Sequence, residues 1–441
     1  MSAANFSGWR TTKVKFVSNV ISGGTPQSSN PNYWEGVMPW LTPVDLGKEG
    51  SYSIDSSNRT ITTEGVAAAG LVILPPGSVV ISTRAPIGSV GRLVCEATTN
   101  QGCKAIVPDV RKLHSAFAFY LALTAADELQ SLGLGTTFVE CSTYSLKNLK
   151  ISLPTLSEQR RIATYLDERT AKIDRLMDMR RRQIELLKEQ RAALIQQAIT
   201  RGLNPKAPMK DSGLPWLGEI PAHWKKTKLR RIAPQGRGMF VNGPFGSDLL
   251  TSELTDSGVP VVYIRDIKTQ GYFRVSEACV TAEKAISLDV FRVDPGDIVV
   301  AKVGNPPGTA AIYPEGEPNG IVTQDVIRIK PDPRYVNAEF IVYLLNSPAG
   351  QASIDQISVE STRMRVDLAS YKSLQIWLPQ LDEQHVILDF IRCRSSQIDA
   401  IISAHTRQLT LLTEYRSALI HECVTGQRPV PESSYPKDKL K

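Results

Sequence analysis

Residues 153–200 read LPTLSEQRRIATYLDERTAKIDRLMDMRRRQIELLKEQRAALIQQAIT, and residues 378–425 read LPQLDEQHVILDFIRCRSSQIDAIISAHTRQLTLLTEYRSALIHECVT. The two stretches align without a gap. Identities include Leu153/Leu378, Pro154/Pro379, Glu158/Glu383, Gln159/Gln384, Ile173/Ile398, Asp174/Asp399 and Arg191/Arg416. Helical composition bias alone does not produce such an ungapped match, so the chain carries an internal repeat.

Both copies show helix signals. Pro154 and Pro379 stop the preceding strand, Ser157 and Asp382 are placed to N-cap, and Glu158 and Glu383 suit the first turn. Apolar positions then step by four and three. The first copy gives Ile173, Met177, Ile184, Leu187, Leu194 and Ala198; the second gives Ile398, Ile402, Leu409, Leu412, Leu419 and Cys423. This is a heptad seam, broken by polar residues at matching places, Arg180/His405 and Arg191/Arg416. Leu176, Leu186, Ile195, Ile401, Leu411 and Ile420 widen the stripe, which implies contact with more than one partner. Gly202 and Pro205 end one helix, Gly426 and Pro429 the other. Two such helices in one chain most simply pack on each other, with an intermolecular coiled coil as the alternative. Residues 173–198 span about 40 Å at about 1.5 Å per residue, the scale of a spacer bar.

Before each helix lies a mixed segment rich in Gly, Pro and short β-branched runs. Each opens on a tryptophan and basic residues, Trp9-Arg10 to Lys15 and Trp224-Lys225 to Arg230. Each then has a Pro-Gly turn before an apolar strand, Pro76-Gly77 with 78–82 and Pro295-Gly296 with 297–301. The order is domain, helix, domain, helix: 1–155, 156–203, 204–380 with a linker at 204–223, 381–428, and a tail at 429–441. The scaffolds correspond, whereas segment 25–47 has no close sequence match in 243–267. One scaffold with two loop sets implies two ligands read by one tool. The expected class is α+β, two mixed α/β domains separated by two long helices in a pseudo-twofold repeat.

Composition narrows the options. The chain has 441 residues, 42% of them apolar and 22% charged, with a formal net charge of +7. That is ordinary for a globular protein of two to four domains and permits a nucleic-acid partner without demonstrating one. No run of apolar residues reaches membrane-spanning length and the start lacks signal-peptide order, so a cytoplasmic protein without a membrane partner is expected. Six scattered cysteines without a CxxC pair read as buried small hydrophobes in a reducing compartment, with no metal site.

In combination, the paired Leu-Pro-x-Leu-x-Glu-Gln helices, the 214–224 bridge (LPWLGEIPAHW) and the loop motifs resemble the DNA-specificity subunit of Type I restriction-modification systems. The resemblance spans nearly the whole chain. It implies two target-recognition domains, each reading one half of a split asymmetric site in double-stranded DNA, held apart by the helices as an antiparallel coiled coil. It also implies a non-catalytic role in host defence beside two methyltransferase subunits and two restriction/translocase subunits. Those partners would use S-adenosylmethionine, ATP and Mg for adenine methylation and restriction.

Base reading calls for planar bidentate groups, and phosphate contact for cations and hydroxyls. Candidate DNA-binding residues are Thr25, Gln27, Ser28, Tyr33, Trp34, Arg84 and Thr137 in the first domain. In the second they are Ser247, Arg265, Lys302, Asn305, Gln324, Arg363 and Arg365. Arg363 and Arg365 alternate on an extended segment and so share a face. Trp34 and Trp40 are expected to pack beneath the loops.

Rival classes fare worse. Asn305-Pro306-Pro307-Gly308 resembles an amino-methyltransferase motif, but Gly308 stands where an aromatic residue would stack on a flipped base. No Walker loop or catalytic triad accompanies it. A purely structural coiled coil does not account for divergent loops, and a stand-alone transcription regulator lacks a helix-turn-helix signature. If the helices act as a ruler, inserting four residues after Glu185 lengthens the non-specific gap of the methylated motif. An unchanged gap in methylome sequencing would refute the ruler.

Overall fold

The computed structural model describes residues 8–47, 52–84, 88–125, 142–214, 216–246, 248–359 and 364–432. The repeat forms two long helices, Leu156–Arg201 and Leu381–Val424. The chain divides into two compact units, one holding 1–183 with 404–441 and the other 184–403. Each unit therefore combines one α/β domain with the start of one long helix and the end of the other.

The domains are built alike. In the first, Arg10–Lys13 pairs antiparallel with Lys150–Leu153, so that Arg10 faces Leu153. In the second, Lys225–Lys228 pairs with Gln375–Leu378 in the same register, Lys225 facing Leu378. The first domain's larger sheet runs Ser18–Ser22, Cys103–Pro108, Val79–Ser82, Val90–Leu93, Ser53–Ile54. Its counterpart runs Phe240–Asn242, Val326–Ile329, Ile298–Ala301, Ala310–Ile312. A smaller sheet in each contains one parallel pair, Trp34–Leu41 with Thr98–Thr99 and Val259–Val262 with Gly320–Val322. The architecture is α+β.

Within each unit the helix segments run antiparallel. In the first, Glu158 and Ile162 border the same groove as Gly426–Val430, while Asp174 and Met177 face Thr413 and Arg416. In the second, Arg191 pairs with Asp399, and Gly202 lies beside Glu383. Ile162, Leu166, Ile173 and Met177 join Leu419, Ile420 and Cys423 in the first core around Phe117. Ala198 and Ile199 join Ile387, Leu388 and Ile391 in the second, around Trp224 and Phe340.

The polar break at Arg191/Arg416 has a reason the periodicity did not show. The Arg416 guanidinium donates from Nε to Asp174 Oδ1 at 2.8 Å and from Nη2 to Asp174 Oδ2 at 3.3 Å. Arg191 makes the corresponding pair with Asp399. In repeat terms, the acid comes from one copy and the base from the other. The helix starts correct the capping expectation: Thr155 rather than Ser157 caps the first helix, its hydroxyl accepting from Glu158 N at 3.3 Å. Asp382 sits inside the first turn of the second helix.

Gln159 and Gln384 have no exposure to water and make identical bonds. Gln159 Nε2 donates to the carbonyls of Pro154 and Lys112, both at 3.0 Å, and its Oε1 accepts from His114 N at 2.8 Å. Gln384 Nε2 donates to Pro379 and Tyr335, both at 3.1 Å, and its Oε1 accepts from Asn337 N at 2.9 Å. His114 and Asn337 are the N-caps of the domain helices Ser115–Thr124 and Ala338–Asn346. One amide thus ties the strand end, the long helix and the domain helix together. The linker is ordered where described: Met209–Asp211 pairs with Glu219–Pro221, and Trp216 Nε1 donates to Ser353 Oγ at 2.7 Å.

Cys103, Cys279 and Cys423 are buried, and burial pushes the Cys103 thiol up to about 12 and that of Cys423 to about 11. Cys95 is half-buried and Cys393 exposed, unlike the reading of all cysteines as buried; Cys141 lies outside the described residues.

Gln159→Ala leaves three buried backbone groups without a partner and is expected to cost about 2–4 kcal/mol, read as a lowered thermal midpoint. Gln159→Glu keeps the acceptor, but it sets a carboxylate against two carbonyls unless protonated. Its folded-state pKa therefore lies above the ordinary value of about 4.3, and the variant regains stability as pH falls from 7 to 5. A midpoint insensitive to pH over that range would refute this account.

Candidate nucleic-acid interface

The candidate residues that are described lie at strand ends and in the turns and loops beside them, and shared backbone devices position them. Gly23 and Gly243 each approach a crossing strand so closely that a Cβ would stand 2.1 Å from a carbonyl oxygen, that of Asn100 or of Val322. Only glycine fits there. Asp45 and Asp266 then anchor the next loop in each domain. Asp45 accepts from Thr42 N, Thr42 Oγ1 and Asn58 N at 2.7–2.9 Å. Asp266 accepts from the amides of Tyr263, Val275 and Ser276 and from Ser276 Oγ, all at 2.9 Å. Segments 25–47 and 243–267, which look unrelated in sequence, are thus held by the same kind of anchor. The sequence match fails because a glycine and an aspartate alone carry it.

In the first domain, Thr25 Oγ1 donates to Gln101 Oε1, and Gly24 N bonds Thr99 O at 2.9 Å. Trp40 Nε1 donates to Gly24 O at 2.9 Å, and Trp34 Nε1 to Gln27 O at 3.3 Å. The two indoles meet edge to face at 5.0 Å. Arg59 lies over both rings, its guanidinium carbon 3.9 Å from the Trp34 centroid. Trp40 is buried beneath the loop as expected, while Trp34 is half-buried and sandwiched between Trp40 and Arg59. Thr83 N bonds Gly102 O at 2.8 Å, which brings exposed Arg84 alongside the 100–102 turn. Thr25, Gln27, Trp34 and Arg84 therefore share one end of the domain, with Ser28 exposed and Tyr33 half-buried beside them. Gln101, Arg59 and buried Lys104, whose Nζ donates to Thr83 Oγ1 at 3.2 Å, join this group. Neither Gln101 nor Arg59 is among the candidates the sequence offers; Arg59 carries no local signal, because its ring partners are 25 and 19 residues away.

The second domain gathers its candidates similarly. Thr323 N bonds Val262 O at 3.1 Å, next to the Arg265 loop, and Lys302 N bonds Asp325 O at 2.8 Å. Val366 N bonds Lys302 O at 3.0 Å, and Arg365 reaches within 3.9 Å of the Asp325 carboxylate. Arg265, Lys302, Asn305, Gln324 and Arg365 thus stand on adjoining loops, with Arg265, Asn305 and Arg365 exposed. Thr137, Ser247 and Arg363 lie outside the described residues, so the Arg363/Arg365 face is represented by Arg365 alone.

On the long helices, Ile173, Met177, Ile184, Ile398 and Leu419 are buried, and Leu187, Leu194, Ile402, Leu409 and Leu412 half-buried. Ile195 and Ile420 turn toward the domain cores. Leu176, Leu186, Ile401 and Leu411 remain exposed at 42%, 57%, 45% and 54%, so the repeat leaves the same apolar residues uncovered on each helix. Among the described residues, no helix is long and apolar enough to cross a membrane, and no group of three His, Cys, Asp or Glu side chains is placed to hold a metal ion.

Comparison with known proteins agrees with this organisation. The family model described as Type I restriction modification DNA specificity domain matches residues 7–186 and 247–411. The chain is 34% identical over 183 residues to the Type I restriction enzyme MjaIX specificity subunit of Methanocaldococcus jannaschii, covering 41% of this chain and 41% of that one. That alignment spans about two fifths of the relative's length. The EcoBI specificity subunit of Escherichia coli is 24% identical over 426 residues, covering 95% of this chain and 86% of its own. In fold, the chain resembles one from a structure on complex assembly and conformational transition of the type I R-M system, at a TM-score of 0.71 and 16% identity, covering 96% and 98% of the two chains. It also resembles the HsdS subunit from Thermoanaerobacter tengcongensis, at a TM-score of 0.57 and 15% identity, with the same coverage. The chain belongs to the Type I restriction-modification DNA specificity family.

Proposed function

We propose that the chain is the sequence-reading, non-catalytic subunit of a Type I restriction-modification complex, each domain recognising one half of a bipartite DNA site. The observation that carries this reading is the contrast between corresponding supports and different tips. Two domains share strand order, the glycine approach and the aspartate anchor, yet present Thr25, Gln27 and Arg84 in one and Arg265, Lys302 and Arg365 in the other. Arginine offers guanine a two-donor fork, and Gln offers adenine a matched donor and acceptor.

The exposed leucine and isoleucine residues repeated on the helices support docking of two copies of a methyltransferase subunit, and two restriction/translocase subunits would complete the assembly. Adenine methylation with S-adenosylmethionine, and ATP- and Mg-dependent restriction, belong to those partners. The complex would act on DNA in the cytoplasm.

Co-expression with the methyltransferase partner in a methylation-null host, followed by sequencing for N6-methyladenine, tests the reading. The expected result is a split motif of two short half-sites around a fixed gap, absent without this chain. Arg365→Ala is expected to relax one half-site only, by about 1–3 kcal/mol of base discrimination. No motif, or relaxation of both halves, would overturn the proposal.

A further inference from the structure

Arg265 is an exposed cation whose direction is fixed by the fold. Its Nε donates to Ser276 Oγ at 2.6 Å, and its guanidinium carbon lies 4.8 Å from the centre of the Tyr263 ring. Ser276 is itself buried, and its hydroxyl proton goes to Asp266 Oδ1 at 2.9 Å, which leaves the oxygen lone pairs for Arg265. Asp266 cannot shift: it is wholly buried and also holds the amides of Tyr263, Val275 and Ser276. The order of restraint runs from backbone to carboxylate, to hydroxyl, to guanidinium.

The restraint engages Nε and one face of the guanidinium. The two terminal nitrogens, Nη1 and Nη2, make no bond to a described residue. Long cationic side chains on a surface ordinarily keep their rotamer freedom, at about 2 kcal/mol of entropy for arginine. Here most of that freedom is already lost, so a ligand meeting the terminal nitrogens loses little more on binding. A ligand with two acceptors in one plane, as a guanine edge has in O6 and N7, uses both of these donors at once.

The first domain supplies the contrast. Asp45 occupies the anchor position there, and the residue before it is Val44, 71% exposed, where the second domain has Arg265. The same support presents a hydrocarbon tip in one domain and a fixed cation in the other, as expected of a position that reads sequence rather than one that holds the fold.

We infer that Arg265 is a pre-aimed guanine reader of the second half-site, with Ser276 and Tyr263 as positioning residues. This rests on the DNA-recognition reading above. The test is methylome sequencing of the complex carrying Arg265→Ala, Arg265→Lys, Ser276→Ala, Ser276→Thr or Tyr263→Leu, with thermal midpoints measured alongside. Arg265→Ala is expected to lower the preference for guanine at one position of one half-site by about 5- to 150-fold. Arg265→Lys is expected not to restore it, because an ammonium has neither the fork nor the plane.

Ser276→Ala keeps the backbone bond to Asp266 and is expected to relax the same position by a smaller factor, with Ser276→Thr restoring it. That rescue, confined to one base, is a readout that a merely structural role would not produce. If Ser276→Ala fails to fold, Tyr263→Leu and the Arg265 pair still decide the question. If the wild-type complex yields no split motif, the DNA-recognition reading fails. If it yields a motif that Arg265→Ala leaves unchanged, or one whose altered position is not guanine, only the present inference is overturned.

Discussion

A side-chain amide sealed from water is the constraint on which each unit is built. Gln159 and Gln384 are surrounded by backbone groups that have no other partner at that place, and each amide matches them donor to acceptor. Burying polar groups is tolerable only when they are paired, and an unpaired one costs more than the bond itself contributes. The amide therefore sets the angle at which a long helix leaves its domain. The strand pairs Arg10–Lys13 with Lys150–Leu153 and Lys225–Lys228 with Gln375–Leu378 meet the helices at the same place in both units.

The aspartate–arginine pairs act further along the helices. Asp174 with Arg416 is largely withdrawn from solvent and bidentate, whereas Arg191 with Asp399 is more exposed. Pairs of the exposed kind contribute little to stability, about 0–1 kcal/mol. Their effect is on register: an antiparallel seam that slipped by a turn would leave an arginine among leucines.

The helices and the duplicated plan were legible in the sequence because they are periodic and local, and the spacing of Ile173, Met177 and Ile184 suffices to place a buried face. What was not legible depends on contacts distant in sequence. Gln159 stood out as a repeated residue, but its partners Lys112 and His114 are 47 and 45 positions away and are backbone atoms, which leave no trace in residue type. Likewise Asp45 and Asp266 anchor amides, and amides are present at almost every position. For the candidate loops, the sequence supplied residue types capable of reading bases. It could not show that Thr25 is tied to Gln101 or that Arg59 rests on Trp34.

The aspartate anchor has a consequence for how such a chain changes over generations. The groups that satisfy Asp45 and Asp266 are main-chain amides and small hydroxyls, and neither Val44 nor Arg265 contributes an atom to that shell. The burden of holding the loop is thus separated from the residue displayed at its tip. A substitution at the tip carries the small stability effect of a surface change, within about 0.5 kcal/mol, while altering the chemistry presented to a ligand. Evolvability is therefore built into the support itself: the displayed residue can vary without the loop having to be folded anew.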